Sequence, residues 1–149
     1  MFYTTKGLIL RETQYKESDK LLDVLTGDMG RLTVKARGVR RKNSKLRSGC
    51  QLLCYSELTL FEKNGYYTVN EAEPLEMFMG LRTDIELLSL GSYFAQLLGT
   101  VSDQDHVSPE LLSLGLNSLY ALDKLKKPQA LVKAAFELRL MALSGYYPV

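Results

Sequence analysis

QLLCYSELTLFEKNGYYTVNEA, residues 51–72, is the stretch that decides the fold. Leu52, Cys54, Ser56, Leu58 and Leu60 share one parity, and Leu53, Tyr55, Glu57, Thr59 and Phe61 share the other. Side chains that alternate in this way line opposite faces of a strand. Glu62-Lys63-Asn64-Gly65 carries the Asn-Gly pair of a tight hairpin turn, and Tyr66 to Ala72 is the return strand. Upstream, Thr4–Arg11 holds the apolar run Leu8-Ile9-Leu10. A polar stretch follows, Glu12–Lys20, and then a second strand, Leu21–Thr26. Two glycines, Gly27 and Gly30, turn the chain into a third strand, Arg31–Arg37. Short strands without a long helix between them predict a small closed barrel, which hides its strand edges.

The pattern changes at Glu73-Pro74. Met77, Met79, Leu81 and Ile85 open a helical region that continues through Leu98 and ends in polar Ser102-Asp103-Gln104-Asp105. Ser108-Pro109-Glu110 starts the next helix, with Ser as N-cap and Pro in the first turn, running to about Lys126. Pro128 opens a last helix, which Gly145 ends. These helices are too apolar to stand alone and must pack on one another. The sequence therefore predicts an α+β chain: a barrel domain over residues 1–73 and an α-helical bundle over 74–149.

Charge is segregated. Net charge is only +2, yet Arg31, Lys35, Arg37, Arg40, Arg41, Lys42, Lys45 and Arg47 put eight of the nineteen bases into residues 30–49. No acid occurs between Asp28 and Glu57. Leu32, Val34 and Ala36 share one side of the third strand; Arg31, Thr33, Lys35 and Arg37 share the other. Gly38–Gly49 reads as a mobile cationic loop. A cationic strand face running into a cationic loop suits a polyphosphate backbone, since bound Lys and Arg release counterions. Tyr15 and Tyr66, placed in loops or turns near that strand, are the candidates for stacking on bases. The other tyrosines, Tyr146 and Tyr147 among them, read as packing.

Other chemistry lacks its residues. There is no phosphate-loop lysine motif, nucleophile elbow or His-Glu-x-x-His. His106 stands alone between helices, and the Glu71/Glu73 pair has nothing to make it a catalytic dyad. Cys50 and Cys54, if they lie on one strand, are about 13 Å apart at roughly 3.3 Å per residue, too far for a disulfide or one metal. They read as structural, and the expected setting is a reducing cytosol. No apolar run approaches a membrane span, and no secretory leader is expected.

With these residues identified, the chain resembles the RecO family of bacterial recombination mediators. The resemblance rests on Gly7-Leu8-Ile9-Leu10-Arg11, Tyr15-Lys16-Glu17-Ser18-Asp19-Lys20-Leu21-Leu22, Thr26-Gly27-Asp28-Met29-Gly30-Arg31 and Ala36-Arg37-Gly38-Val39-Arg40-Arg41. Further along it rests on Glu71-Ala72-Glu73-Pro74 and on the helix from Phe136 to Tyr146. It implies a five-stranded oligonucleotide-binding (OB-fold) barrel ahead of a helical domain, and a non-catalytic, cytoplasmic, nucleoid-associated role in recombinational repair. In that role the family binds single- and double-stranded DNA, anneals strands and helps load recombinase onto strands coated by single-stranded DNA-binding protein. Single-stranded DNA-binding protein and RecR are the implied protein partners.

The resemblance also implies a later segment, often with four zinc-binding cysteines, which this chain does not contain. No zinc or other cofactor is therefore expected. The helical domain is expected to be incomplete after Pro148-Val149, with apolar surface left open. For the acidic tail of single-stranded DNA-binding protein, the candidate cations are Lys124, Lys126, Lys127 and Lys133 about the last interhelical turn, with Arg139 following. Lys133 and Arg139 are six residues apart and point in different directions. Lysines ending a helix also complement its dipole without any partner. Two other readings remain: a protein-interaction adaptor with a scaffold barrel, which the basic run disfavours, and an RNA-binding barrel.

Overall fold

The structure is a computed structural model that describes residues 1–104 and 106–145. Asp105 and the Tyr146, Tyr147, Pro148 and Val149 named above lie outside the described residues. Five strands close a barrel: β1 (Phe2–Tyr15), β2 (Asp19–Thr26), β3 (Arg31–Ala36), β4 (Tyr55–Lys63) and β5 (Tyr66–Glu76), in the order β1-β2-β3-β5-β4. Four helices follow: α1 (Met79–Arg82), α2 (Ile85–Val101), α3 (Pro109–Asp123) and α4 (Gln129–Leu143). This is the barrel-then-helices architecture of an OB-fold followed by a helical domain.

Alternation places the barrel core as expected. Leu32, Val34 and Ala36 of β3 and Leu58 and Leu60 of β4 point inward with Ile9, Leu22, Val24 and Val69. Asn64 (φ 55°) and Gly65 (φ 83°) take the left-handed conformations of the β4–β5 turn. Parallel closure between β3 and β5 is short, with Val34 opposite Tyr67 and Lys35 opposite Thr68.

β1 is buried on both sides. Register slips between Ile9 and Arg11, so Leu10 is the extra residue of a bulge. Ile9 enters the barrel core, while Leu8 and Leu10 enter a second core with Leu25, Leu53, Leu81, Phe94, Leu98, Leu119, Phe136 and Leu140. Phe94 stacks on Phe136 at 4.1 Å within it. Arg82 adds a polar tie: its guanidinium donates to Met77 O at 2.8 Å and to Leu52 O at 2.7 Å.

Several boundaries differ from the sequence reading. β1 runs on to Tyr15 and β2 begins at Asp19, so most of the polar stretch 12–20 is a hairpin and its turn is residues 16–18. Tyr15 is thus a strand-end residue. Residues 51–53 form a turn, with Leu53 at φ 66°, and β4 starts at Tyr55. β5 continues through Pro74 to Glu76, bulged against β4 near its end. The first helical region is broken in two, because Asp84 caps α2 by accepting from the Glu86 and Leu87 amides. α3 ends at Asp123, ahead of Lys126. Ser108 holds the N-cap position, but its hydroxyl donates to Glu110 at 3.4 Å and accepts no backbone amide. Gly145 (φ 85°) follows α4 as expected.

Because residues 50–54 are not one strand, the 13 Å separation of the two cysteines loses its premise. Both are free and buried. Burial, reinforced by Cys54, pushes the Cys50 thiol from 9.0 up to about 12, and burial also raises Cys54.

Two outcomes follow from this packing. Leu8 is fully buried between barrel and helices, so Leu8→Ala should cost about 2–5 kcal/mol. Calorimetry should show one cooperative transition moving down; two transitions of which one alone moves would show that the halves are uncoupled. Cys50 should contribute stability that is complete below its unfolded pKa and lost as pH rises from about 9 towards 12, where the unfolded thiol ionises first. Denaturant midpoints should therefore fall more between pH 8 and 10.5 for the wild type than for Cys50→Ala.

Candidate nucleic-acid interface

A groove of about 1260 Å³ runs along the β3–β5 seam. The parity of β3 aims Arg31, Lys35 and Arg37 into it, and Lys63 enters from the end of β4. Five aromatic rings, Phe2, Tyr15, Phe61, Tyr66 and Tyr67, share its lining. Among the described residues, no Asp or Glu lines it. Tyr15 and Tyr66, distant in sequence, thus meet in one groove. Lys35 Nζ lies 5.1 Å from the centre of the Tyr15 ring, and Lys16 Nζ lies 5.4 Å from it, so the ring is held beneath cations. Tyr67 packs edge-on to Tyr3 at 6.2 Å, and burial raises its phenol above the ordinary value.

One end of the groove is shaped by the α2–α3 linker. Gly30 (φ 71°) lets the β2–β3 turn approach it, and a side chain there would meet Asp103 O and Gln104 O at 3.1 Å. Arg31 N donates to Asp103 O at 3.2 Å, and Gln104 joins the groove lining. Arg31 is half-buried here with Nε unpaired.

The remaining bases of the run lie on the 38–49 loop, which is a series of hydrogen-bonded turns and differs in this from the mobile loop expected. Gly38 N donates to Asp19 Oδ1 at 2.8 Å, and Arg40 N donates to Ser18 O at 3.0 Å. The guanidinium of Arg40 donates to Glu17 O, and that of Arg47 to the carbonyls of Arg40 and Arg41, each at 3.0 Å. Val39 plugs into the barrel core. Arg41, Lys42 and Lys45 are exposed, and among the described residues no base of the run is ion-paired.

The helical cations have separate neighbours. Lys124 lies 3.3 Å from Asp123 and 3.8 Å from Glu76, and its hydrogen bond to Asp123 raises its pKa. Lys133 lies 3.7 Å from Glu137 and over the Tyr93 ring at 5.6 Å. Arg139 lines a small pocket with Pro109, Glu110 and Asn117 of α3. Lys126 and Lys127 are exposed. Leu131 and Leu138 of α4 are also exposed, at 60% and 61%. His106 is exposed, and among the described residues no group of three or more His, Cys, Asp and Glu could hold a metal ion. No helix among them is long and apolar enough to cross a membrane.

Sequence reasoning missed Phe2, Phe61, Lys63 and Tyr67. The outward parity of Phe61 and Lys63 was readable, but their meeting with Phe2 depends on the register of β1 with β4, in which Phe2 faces Phe61.

Residues 1–78 match the family described as Recombination protein O N terminal, and residues 82–149 match Recombination protein O C terminal. Relatives named DNA repair protein RecO include one from Acetivibrio thermocellus, 34% identical over 99% of this chain and 59% of its own length. Others come from Alkaliphilus metalliredigens (35% identical, 99% of this chain, 60% of the relative) and Heliobacterium modesticaldum (39%, 98% and 52%). The chain thus spans little more than half the length of these relatives.

Proposed function

The chain belongs to the RecO family, and from that premise we propose that it is a non-catalytic DNA-binding recombination mediator that holds single- and double-stranded DNA through β3 and the 38–49 loop. The observation that carries this reading is the groove lining: Arg31, Lys35, Arg37 and Lys63 among five aromatic rings, with no carboxylate among the described residues. Phosphates are attracted by such a surface whatever the base sequence, so binding has little sequence preference. The loop extends the positive field, with Arg40 and Arg47 fixing its shape and Arg41, Lys42 and Lys45 free to meet phosphates. Strand annealing fits a surface that neutralises two backbones at once. Recombinase loading, with single-stranded DNA-binding protein and RecR as partners, is the role we assign on family membership. The adaptor reading leaves the unpaired cations without a purpose. Competition between DNA and RNA oligomers separates the RNA-binding reading from ours.

Salt dependence tests the proposal. Each lost phosphate contact should flatten the slope of log affinity against log salt by roughly 0.7 on single strands. Replacing Lys35, Arg37 and Lys63 by Ala should therefore weaken binding and flatten the slope by about 2, and so should the loop set Arg41, Lys42 and Lys45. Thermal unfolding should hardly move, because these side chains are not core. Unchanged affinity and slope in both variants would remove the proposal.

A further inference from the structure

We propose that Phe2 and Phe61, with Lys63 and Tyr66 beside them, form a subsite for unpaired nucleobases that lets the groove favour single strands over duplex. This rests on the reading that the groove binds nucleic acid, and adds what part of the strand is held and where. Phe2 and Phe61 face each other directly across β1 and β4, with ring centroids 5.1 Å apart and planes tilted by 59°. Yet they remain 60% and 38% exposed. The barrel does not need them, since its interior is filled by Leu58, Leu60, Val69 and their neighbours.

Lys63 is two residues beyond Phe61 and so points to the same side of β4. Its cross-strand partner is Tyr66, 79% exposed. Two consecutive cross-strand rows thus present three rings and an ammonium to one groove, opposite the cations of β3. A protein surface docking there would leave four cations uncompensated unless it were itself a dense polyanion. A single strand supplies both complements: phosphates for the cations and flat bases for the rings. A duplex offers its phosphates but keeps its bases stacked and paired, out of reach of Phe61.

The test uses the 149-residue chain, with oligothymidylate, an abasic strand of equal length and a duplex as probes. Wild type should bind oligothymidylate more tightly than the abasic strand. Phe61→Leu keeps apolar bulk but removes the ring, and should bind oligothymidylate roughly five- to thirtyfold more weakly. Its affinity for the abasic strand and the duplex should stay at the wild-type value. Its salt slope should not change, because stacking releases no counterions. Phe61→Tyr restores a ring and should restore the preference. Equal loss on all three probes, or wild-type affinity of Phe61→Leu for oligothymidylate, overturns the subsite. So does a dimer that Phe61→Leu dissociates without altering DNA binding, which would make this face a contact between copies. If wild type binds none of the probes, the groove reading itself fails, and that outcome is distinct from a loss confined to the Phe61 variant.

Discussion

Burial of β1 on both faces is the constraint on which the rest of the structure depends. Three consecutive residues, Leu8, Ile9 and Leu10, are all buried, which a strand with one solvated face does not allow. The bulge at Leu10 and the helices packed outside the barrel resolve this. Fully burying one such side chain contributes about 1.5–3 kcal/mol, so Leu8 and Leu10 together tie the two halves by several kcal/mol. Their direction matters as much as their energy. They pull α2 and α3 against the β1–β2 side of the barrel. The β3–β5 seam is thereby left uncovered, and the groove lies along it. Which barrel face stays open is thus decided by two leucines that do not line it.

The short β3–β5 pairing belongs to the same account. A closed barrel needs one strand pair to complete the circle, and here that pair is parallel and brief. Beyond Val34–Tyr67 and Lys35–Thr68 the two strands have no further ladder partners in common. Side chains of both, Lys35 and Arg37 from one and Tyr66 and Tyr67 from the other, line the groove there. The closure that removes a sticky edge also leaves a cleft at its weakest seam.

Much of this was legible in the sequence, for identifiable reasons. The alternation of β3 and β4, the Asn64-Gly65 turn and the Gly145 helix end are local rules acting on local residues, and each appears where the residues indicate. Residues 12–15 were not readable as strand because they are polar and reach neither core; pairing with β2 alone keeps them extended. Pro74 suggested an end to β5, whereas the strand absorbs it with bulges. Leu53 lies in a left-handed turn that no sequence rule favours, and its burial between barrel and helices holds it there. Among the helical cations, Lys124 pairs with Asp123 and Glu76 and Lys133 with Glu137, and those pairings arise only from packing. At the groove, the cations were readable as a run, but Phe2 beside Phe61 required the register.

The basic run carries an electrostatic burden of its own. Eight cations fall within twenty residues, and any that come within the roughly 8–10 Å screening length repel one another. Carboxylate partners would relieve that repulsion and cancel the field. Two of the guanidiniums in the loop instead donate to backbone carbonyls: Arg40 to Glu17 O, and Arg47 to Arg40 O and Arg41 O. A carbonyl dipole satisfies the donor and fixes its direction but carries no net charge. The loop is thereby given a shape without being neutralised. Asp19, among the described residues the one carboxylate that holds it, accepts from the Gly38 amide and leaves the side-chain cations alone. Positive potential is thereby kept available, and a bound polyanion would relieve the repulsion that remains. The same logic accounts for the groove, where Lys35 rests against the face of Tyr15. The ring positions the ammonium, while its charge stays free to act on a phosphate.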